Sequence, residues 1–330
     1  MKARWAVEIV GTGMAVPRRV VPNEEFTKHL DTSDEWIVQR TGIRERRIAG
    51  PGESTLTLSV GASQQALAAA GMNPRQIDLI VHATVTPDHQ LPATACELQA
   101  ALGCDWIPAF DIGAACSGFV YALVCAAQFI VCKMATNVLV VGSETLTTIT
   151  DMEDRGTAVL FGDGAGAAIL RPSADPQRGI IAARLGADGG RARAVWVPAG
   201  GSAEPASIRT VNERLHFMKM KGREIYKFAV TQMDTLVRET LAEAGIGLDD
   251  VALVIPHQSN LRIIESAAQR LGLPMDKVSI NIDRLGNTSA ASIAMALHEA
   301  FEGGRIRTGD LVLMVGFGAG LTWGSALMRI

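Results

Sequence analysis

No two cysteines in this chain form a C-x-x-C pair, and the five present (Cys96, Cys104, Cys116, Cys125 and Cys132) are odd in number. A disulfide framework and a structural zinc site are therefore not expected. Reduced thiols fit a cytosolic setting, most of them as small core residues. There is no surplus of basic charge either. Lys and Arg number 31 against 34 Asp and Glu, a net charge of −3, which excludes a globally basic nucleic-acid binder. No apolar run approaches the roughly 20 residues of a membrane span. The most apolar stretch, 118–132, is interrupted by Gln128 and ended by Lys133. The opening MKARWAVEIVGTG lacks a secretory leader's apolar stretch and cleavage site. A cytoplasmic protein with neither membrane nor nucleic acid as partner is expected. Dinucleotide and phosphate loops are missing as well. Gly162-Asp163-Gly164-Ala165-Gly166 and Gly316-Phe317-Gly318-Ala319-Gly320 lack the P-loop ending, and Gly11-Thr12-Gly13 lacks the third fingerprint glycine. Turns or close-packed strands suit these glycines better, and a nicotinamide-dependent oxidoreductase is disfavoured.

What is present is a chain for a packed globular body: 48% hydrophobic and 20% charged residues over 330 positions, enough for two domains or one large one. Short apolar runs at 77–81, 138–141, 251–255 and 311–315 read as buried strands. Helical patterns at 58–70, 119–134, 225–244, 261–271 and 290–301 alternate with them, which predicts an α/β layered fold. The halves repeat. Ala66–Gly71 matches Thr240–Gly245, the strand ending at Val81 matches the one ending at Ile255, and Val141-Gly142 matches Val315-Gly316, each displaced by 174. A duplicated α/β unit follows, with halves at 1–172 and 173–330. The Gly-, Pro- and Arg-rich stretch 172–222 reads as a loop-rich seam beside a binding surface.

Three residues can carry chemistry. Cys116 sits in Asp111-Ile112-Gly113-Ala114-Ala115-Cys116-Ser117-Gly118, before an apolar helix. Small neighbours admit a substrate, and a helix N-terminus favours thiolate; the other reading is a buried structural cysteine. His257, in Ile255-Pro256-His257-Gln258-Ser259-Asn260, follows a strand end, where open α/β sheets place their sites. It could equally be a hydrogen-bonded loop histidine. Asn287, in Gly286-Asn287-Thr288-Ser289-Ala290-Ala291-Ser292, could be an ordinary helix cap. The offset changes the balance. It maps Cys116 onto position 290, close to Asn287, and so brings Cys, His and Asn to equivalent ends of a symmetric core. Lys219, Lys221, Arg223 and Lys227, with Arg262, form a basic group that is either a docking patch for an anionic partner or a solvated face.

Over its whole length the sequence resembles β-ketoacyl-acyl-carrier-protein synthase III, the condensing enzyme that starts bacterial fatty-acid synthesis. The motifs above carry the resemblance, together with Asp31-Thr32-Ser33-Asp34-Glu35-Trp36-Ile37, Arg40-Thr41-Gly42-Ile43 and Leu321-Thr322-Trp323-Gly324. It implies the thiolase fold, two pseudo-symmetric α/β halves layered α-β-α-β-α. It implies a ping-pong reaction in which Cys116 takes an acyl group from acyl-CoA. Malonyl-acyl carrier protein is then decarboxylated under hydrogen bonds from His257 and Asn287. Backbone N–H groups of Cys116, Gly318 and Ala319 would hold the oxyanion. Trp36 and Arg155 would sandwich the CoA adenine, with Arg40, Thr41, Gly156 and Asn260 lining the entrance. Gln258, Lys227 and Arg262 would meet the carrier protein, and Phe161 would line the acyl pocket. Leu91 would floor the partner's pocket across a homodimer interface. Many acetyl-preferring relatives have phenylalanine at Leu91, so a longer or branched primer is expected here. Tyr226 also stands where phenylalanine is common. No metal or redox cofactor is implied. The alternative is a secondary-metabolism relative with another primer or acceptor.

Overall fold

The computed structural model describes residues 4–330. Its centre is two stacked sheets. In the first, strands Val7–Ala15, Asp163–Pro172, Val138–Thr145, Leu79–Ala83 and Ala109–Ile112 lie side by side in that order. In the second the order is Leu253–Pro256, Leu311–Gly318, Thr322–Arg329, Gly179–Ala187. The central strands are apolar along their whole length because both faces are covered. Val138 and Val140 pack into the layer between the sheets, while Leu139 and Val141 face the outer helices. Val312 and Met314 likewise face inward, and Leu311, Leu313 and Val315 outward. Each such side chain contributes about 1.5–3 kcal/mol by leaving water.

Helices Gly118–Val131 and Ala291–Glu302 fill the layer between the sheets. Thr55–Ala70 and Thr94–Leu102 cover one outer face. Gly222–Ala244 and Leu261–Leu271 cover the other. This is the layered α/β arrangement expected from strand–helix alternation.

The offset of 174 is kept in the pairing register. Leu79 pairs with Val138 and Leu253 with Val312, both in parallel. Gly71 (φ 62°) and Gly245 (φ 65°) end the corresponding helices in the left-handed region, where a side chain would be strained. The repeated Val-Gly pairs have a packing reason. A Cβ on Gly142 would lie 2.4 Å from the carbonyl oxygen of Ala290, and one on Gly316 would lie 3.0 Å from the Cα of Ser117. Each half thus opens a strand position to receive the start of the other half's central helix. These two helix starts, Gly118 and Ala291, are 173 residues apart, within one residue of the repeat offset.

Several elements differ from the sequence expectation. The stretch 172–222 contains a strand, Gly179–Ala187, on the edge of the second sheet. The thiols are less buried than expected. Only Cys104 is buried; Cys96 and Cys132 are exposed, and Cys116 and Cys125 are half-buried. Cys132 caps the C-terminus of helix Gly118–Val131, which explains its exposure.

Residues 19–48 form an arm, with ribbon Arg19–Pro22/Glu45–Ile48 and helix Asp34–Thr41. Arg46 pins it. The guanidinium is fully buried, donates to the carbonyls of Val21 and Val159 and to Asn23 Oδ1, and lies 4.5 Å from the Phe26 ring centre. Burial lowers its pKa to about 10, so it stays a cation at neutral pH. Arg46→Met leaves those three acceptors without their donor. The variant is expected to lose about 2 kcal/mol of stability in urea unfolding; an unshifted midpoint would show that apolar packing alone holds the arm.

Candidate active site

The strand Ala109–Ile112 gives way to a tight turn, Ala115–Ser117, which opens the helix Gly118–Val131. Ala115 is forced to φ 47°, a conformation that costs an L-residue about 1–2 kcal/mol. Two hydroxyls restrain the turn. Ser117 Oγ and Thr322 Oγ1 both donate toward the Ala114 carbonyl, at 2.7 and 2.9 Å. Position 289, 174 residues on, repeats the strain: Ser289 has φ 48°. Gly318 closes over the turn from the second sheet, where a Cβ would sit 2.5 Å from the Cys116 nitrogen.

Cys116, His257 and Asn287 all line one cavity of about 230 Å³. Leu146, Phe161 and Met218 form part of its apolar wall. Phe161 is nearly buried at that wall. Leu91 is not in this cavity; it is 87% exposed on the surface.

His257 follows the strand Leu253–Pro256 and is anchored by its N–H, which donates to the Val315 carbonyl (2.8 Å). The ring Nδ1 lies 2.7 Å from Ser292 Oγ, which also accepts from the Gln258 N–H at 3.4 Å. In the tautomer in which Ser292 donates to Nδ1, Nε2–H is the donor for the cavity. Phe317 packs edge-on, 5.6 Å between ring centres. Burial lowers the His257 pKa to about 3, so the ring is neutral at physiological pH.

Asn287 is tied to the first half, its N–H donating to the Leu160 carbonyl and its own carbonyl accepting from Gly162. Its side-chain Oδ1 accepts from the Ser289 N–H at 2.9 Å. That bond fixes the amide orientation and leaves Nδ2–H₂ as the free donor.

The helix N-terminus that favours a thiolate at Cys116 is opposed by the cavity around the sulfur. Burial in the apolar cavity pushes its pKa up to about 12; the Ser289 hydroxyl lowers it, and the charge of Glu144 raises it further. Desolvation is the largest of these effects and favours the thiol over the thiolate.

Trp36 is half-buried on helix Asp34–Thr41, with the Arg155 guanidinium 4.9 Å and that of Arg40 5.8 Å from its ring centre. Arg155 also donates to the Asp31 carbonyl, and Gly156 beside it is exposed. Asn260 caps helix Leu261–Leu271 through Oδ1 and donates from Nδ2 to the Arg40 carbonyl. Two expectations fail on burial. Thr41 is 2% exposed, and its hydroxyl is used within its own turn, donating to the Ile37 carbonyl and accepting from Ile43. Gln258 is wholly buried, its amide bonded to the Pro256 and Ser279 carbonyls and to the Asn281 N–H. It shapes the loop behind His257 and cannot touch a carrier protein. Arg262 and Lys227 are exposed. Arg40, Arg223 and Arg262 surround one surface depression with Tyr226, whose hydroxyl lies 2.8 Å from Ser266 Oγ.

The sequence reading missed Glu144, Ser292 and Thr322 as site residues. Ser289 and Ser292 lay inside a noted motif but read as caps; Glu144 carries no local signal. Among the described residues no cluster of His, Cys, Asp or Glu could hold a metal ion, and no helix is long and apolar enough to cross a membrane.

Comparison with known proteins agrees with this geometry. The family model for 3-oxoacyl-[acyl-carrier-protein] synthase III matches residues 110–189, and the model for its C-terminal part matches 241–330. The β-ketoacyl-[acyl-carrier-protein] synthase III of Caldanaerobacter subterraneus subsp. tengcongensis is 50% identical, over 100% of this chain and 99% of that protein. The crystal structure of the Aquifex aeolicus synthase III superposes with a TM-score of 0.91 at 46% identity, covering 98% and 100% of the two chains. The priming β-ketosynthase of the R1128 polyketide pathway also gives 0.91, at 38% identity over 100% and 98%. Near-complete coverage at half identity, on the same layered fold, places the chain in the β-ketoacyl-acyl-carrier-protein synthase III family.

Proposed function

We propose that the chain performs a decarboxylative Claisen condensation. It joins a short acyl-CoA primer to malonyl-acyl carrier protein and releases CoA, CO₂ and 3-ketoacyl-acyl carrier protein, the first step of fatty-acid synthesis. The observation that carries this reading is the convergence of one sulfur and two neutral donors, His257 Nε2–H and Asn287 Nδ2–H₂, on a single apolar cavity. Cys116 attacks the thioester carbonyl, and backbone N–H groups at Cys116, Gly318 and Ala319 hold the oxyanion while CoA leaves. The two side-chain donors then stabilise the enolate oxygen formed as the malonyl group loses CO₂. The carbanion attacks the acyl-cysteine. A neutral His257 suits this role: it donates a hydrogen bond without needing protonation.

Trp36, Arg155, Arg40, Gly156 and Asn260 serve as the CoA entrance. The platform of Trp36 with two guanidiniums supports this, since a planar base can stack there. We read Arg262 and Lys227, with Arg223, as the carrier-protein contact. Arg262→Ala is expected to weaken carrier-protein binding about tenfold at low salt, with much of the difference vanishing in half-molar salt; affinity indifferent to both would remove the patch from the site. We further read the chain as a cytoplasmic homodimer of two halves divided near 172. The exposed side chains of Leu91, Trp106 and Met134 and the unpaired edge strand Ala109–Ile112 support the dimer.

Incubation with a panel of acyl-CoAs, followed by intact mass measurement, tests the reading. A gain of one acyl group is expected, and the best-loaded chain identifies the primer. No adduct from any acyl-CoA would overturn it. The likeness to a polyketide-priming synthase favours a second reading, in which the same chemistry serves another carrier protein; condensation rates with the two carriers decide between them.

A further inference from the structure

A carboxylate stands behind the apolar wall of the cavity. Glu144, on strand Val138–Thr145, is wholly buried but does not itself line the cavity. Its Oε2 accepts from Thr86 Oγ1 at 2.5 Å, from the Val85 N–H at 3.1 Å and from Thr84 Oγ1 at 3.2 Å. Its Oε1 accepts from the same Val85 N–H at 3.3 Å. None of these donors is a cation. A buried carboxylate without an ion pair is costly, and an apolar side chain of similar size would be cheaper in its place. Burial accordingly raises the Glu144 pKa to about 7. These bonds show what the carboxylate does for the fold: they end on residues 84–86, directly after strand Leu79–Ala83.

Those three residues divide between two environments. Thr84 and Thr86 are buried and give their hydroxyls to Glu144, while Val85 between them is 40% exposed and lines the cavity with Cys116. This is the alternation of an extended segment, whose successive side chains point to opposite sides. The hydroxyls are held in turn. Thr84 Oγ1 accepts from the Thr86 N–H at 3.1 Å, and Thr86 Oγ1 accepts from the Thr145 N–H at 2.9 Å. Thr55 Oγ1 donates to the Thr86 carbonyl at 2.6 Å. Leu146, the residue after Thr145, lines the same cavity. One polar cluster thus underlies two apolar wall residues that come from different strand ends.

We propose that Glu144 is a positioning residue for the acyl pocket: by gathering the donors of residues 84–86 it holds Val85 as a fixed wall, and so limits the length of chain that Cys116 can carry. The inference rests on the proposed function for the acyl group and names what sets its pocket. Glutamine at 144 exposes the dependence. The Val85 N–H bonds both carboxylate oxygens, so either orientation of the amide turns its NH₂ against that N–H, donor to donor. The disturbance falls on the wall residue itself. A residue needed only for folding would slow every chain length alike. Removal of a charge near Cys116 would also act on every chain length alike. Neither changes the discrimination between chains.

The full chain is loaded with sub-saturating straight-chain acyl-CoAs, from acetyl to dodecanoyl, and acylation of Cys116 is followed by intact mass. In parallel, alkyl methanethiosulfonates from methyl to octyl place an alkylthio group on Cys116, followed by peptide mapping, and so probe the pocket without CoA. The readout is discrimination, the rate for the best-loaded chain over the rate for one four carbons longer. Val85→Ala and Glu144→Gln are each expected to lower it about tenfold in both series. The double variant is expected to match Val85→Ala alone, because Glu144 acts through Val85. Thr84→Val removes one donor and leaves the carboxylate in place; it is expected to lower discrimination about threefold. If Glu144→Gln does not fold, Thr84→Val and its double variant with Val85→Ala supply the same comparison. Discrimination unchanged in the variants, or a double variant whose effect is the product of the single ones, would overturn the proposal. A parent that no acyl-CoA loads, beside an alkyl series that behaves as expected, would count against the proposed function and leave the positioning role standing.

Discussion

Cys116→Ala is expected to take no acyl group from any acyl-CoA and to lose condensation by at least about 10³-fold. The turn itself should survive. Alanine keeps the Cβ that packs against Gly318, and the restraints on Ala114 come from Ser117 and Thr322, not from the sulfur. The variant is therefore expected to unfold within about 1 kcal/mol of the parent. A sharper outcome separates the two half-reactions. His257 and Asn287 are held by Ser292, Val315, Leu160 and the Ser289 N–H, none of which involves Cys116. Cys116→Ala should thus still decarboxylate malonyl-acyl carrier protein, releasing CO₂ and acetyl-acyl carrier protein without forming a new carbon–carbon bond. Radiolabelled CO₂ release checks this. Loss of decarboxylation together with loading would mean that the sulfur also shapes the enolate site.

Much of the architecture was legible because the core is duplicated. The repeated Gly71/Gly245 caps and the Val-Gly pairs mark a helix end and a strand position whose physical demands are the same in both halves. The segments that form strands Val7–Ala15 and Asp163–Pro172 stay open between turns and close-packed strands in the sequence, and the reason lies in their glycines. Gly11 and Gly13 leave room for the backbone of helix Thr55–Ala70, where a Cβ would come within 2.2 Å of the Ala66 and Ala62 carbonyl oxygens. Gly166 does the same for Ala294. Sequence patterns cannot separate such glycines from turn glycines, because the close approach involves a distant segment. At the site, Cys116, His257 and Asn287 could be singled out since each sits where a strand or turn meets a helix. Glu144 could not be: it lies within an apolar strand, and its partners Thr84, Val85 and Thr86 come from 58–60 residues away. Thr41 and Gln258 failed for the converse reason. A polar residue in a functional motif can be there to satisfy backbone groups behind the site.

His257→Ala and Asn287→Ala are each expected to leave acyl loading of Cys116 within a few-fold of the parent while slowing condensation by about 10²–10³, the usual cost of one oxyanion donor. Equal losses in loading and condensation would mean that both residues act on the first half-reaction instead. The histidine variant carries a second signature, in stability. The folded chain holds His257 neutral with a pKa of about 3, against 6.5 for the ordinary side chain. Between those values the unfolded chain binds a proton that the folded chain does not. His257 thus adds stability with rising pH across that window: its contribution is complete above about 6.5 and is lost as pH falls toward 3. Glu144 works in the opposite sense. Its pKa is raised from 4.5 to about 7, so its contribution is complete below 4.5 and is lost as pH rises through 7. From 4.5 to 6.5 the two slopes offset each other, and below 4.5 the histidine acts alone. Urea midpoints measured from pH 3.5 to 8 should therefore fall more steeply below 4.5 in the parent than in His257→Ala. In Glu144→Gln the parent's flat region should become a rise toward pH 6.5. Parallel curves for parent and His257→Ala would show that the imidazole is not held neutral, and its place as a hydrogen-bond donor to the enolate would fall with that result.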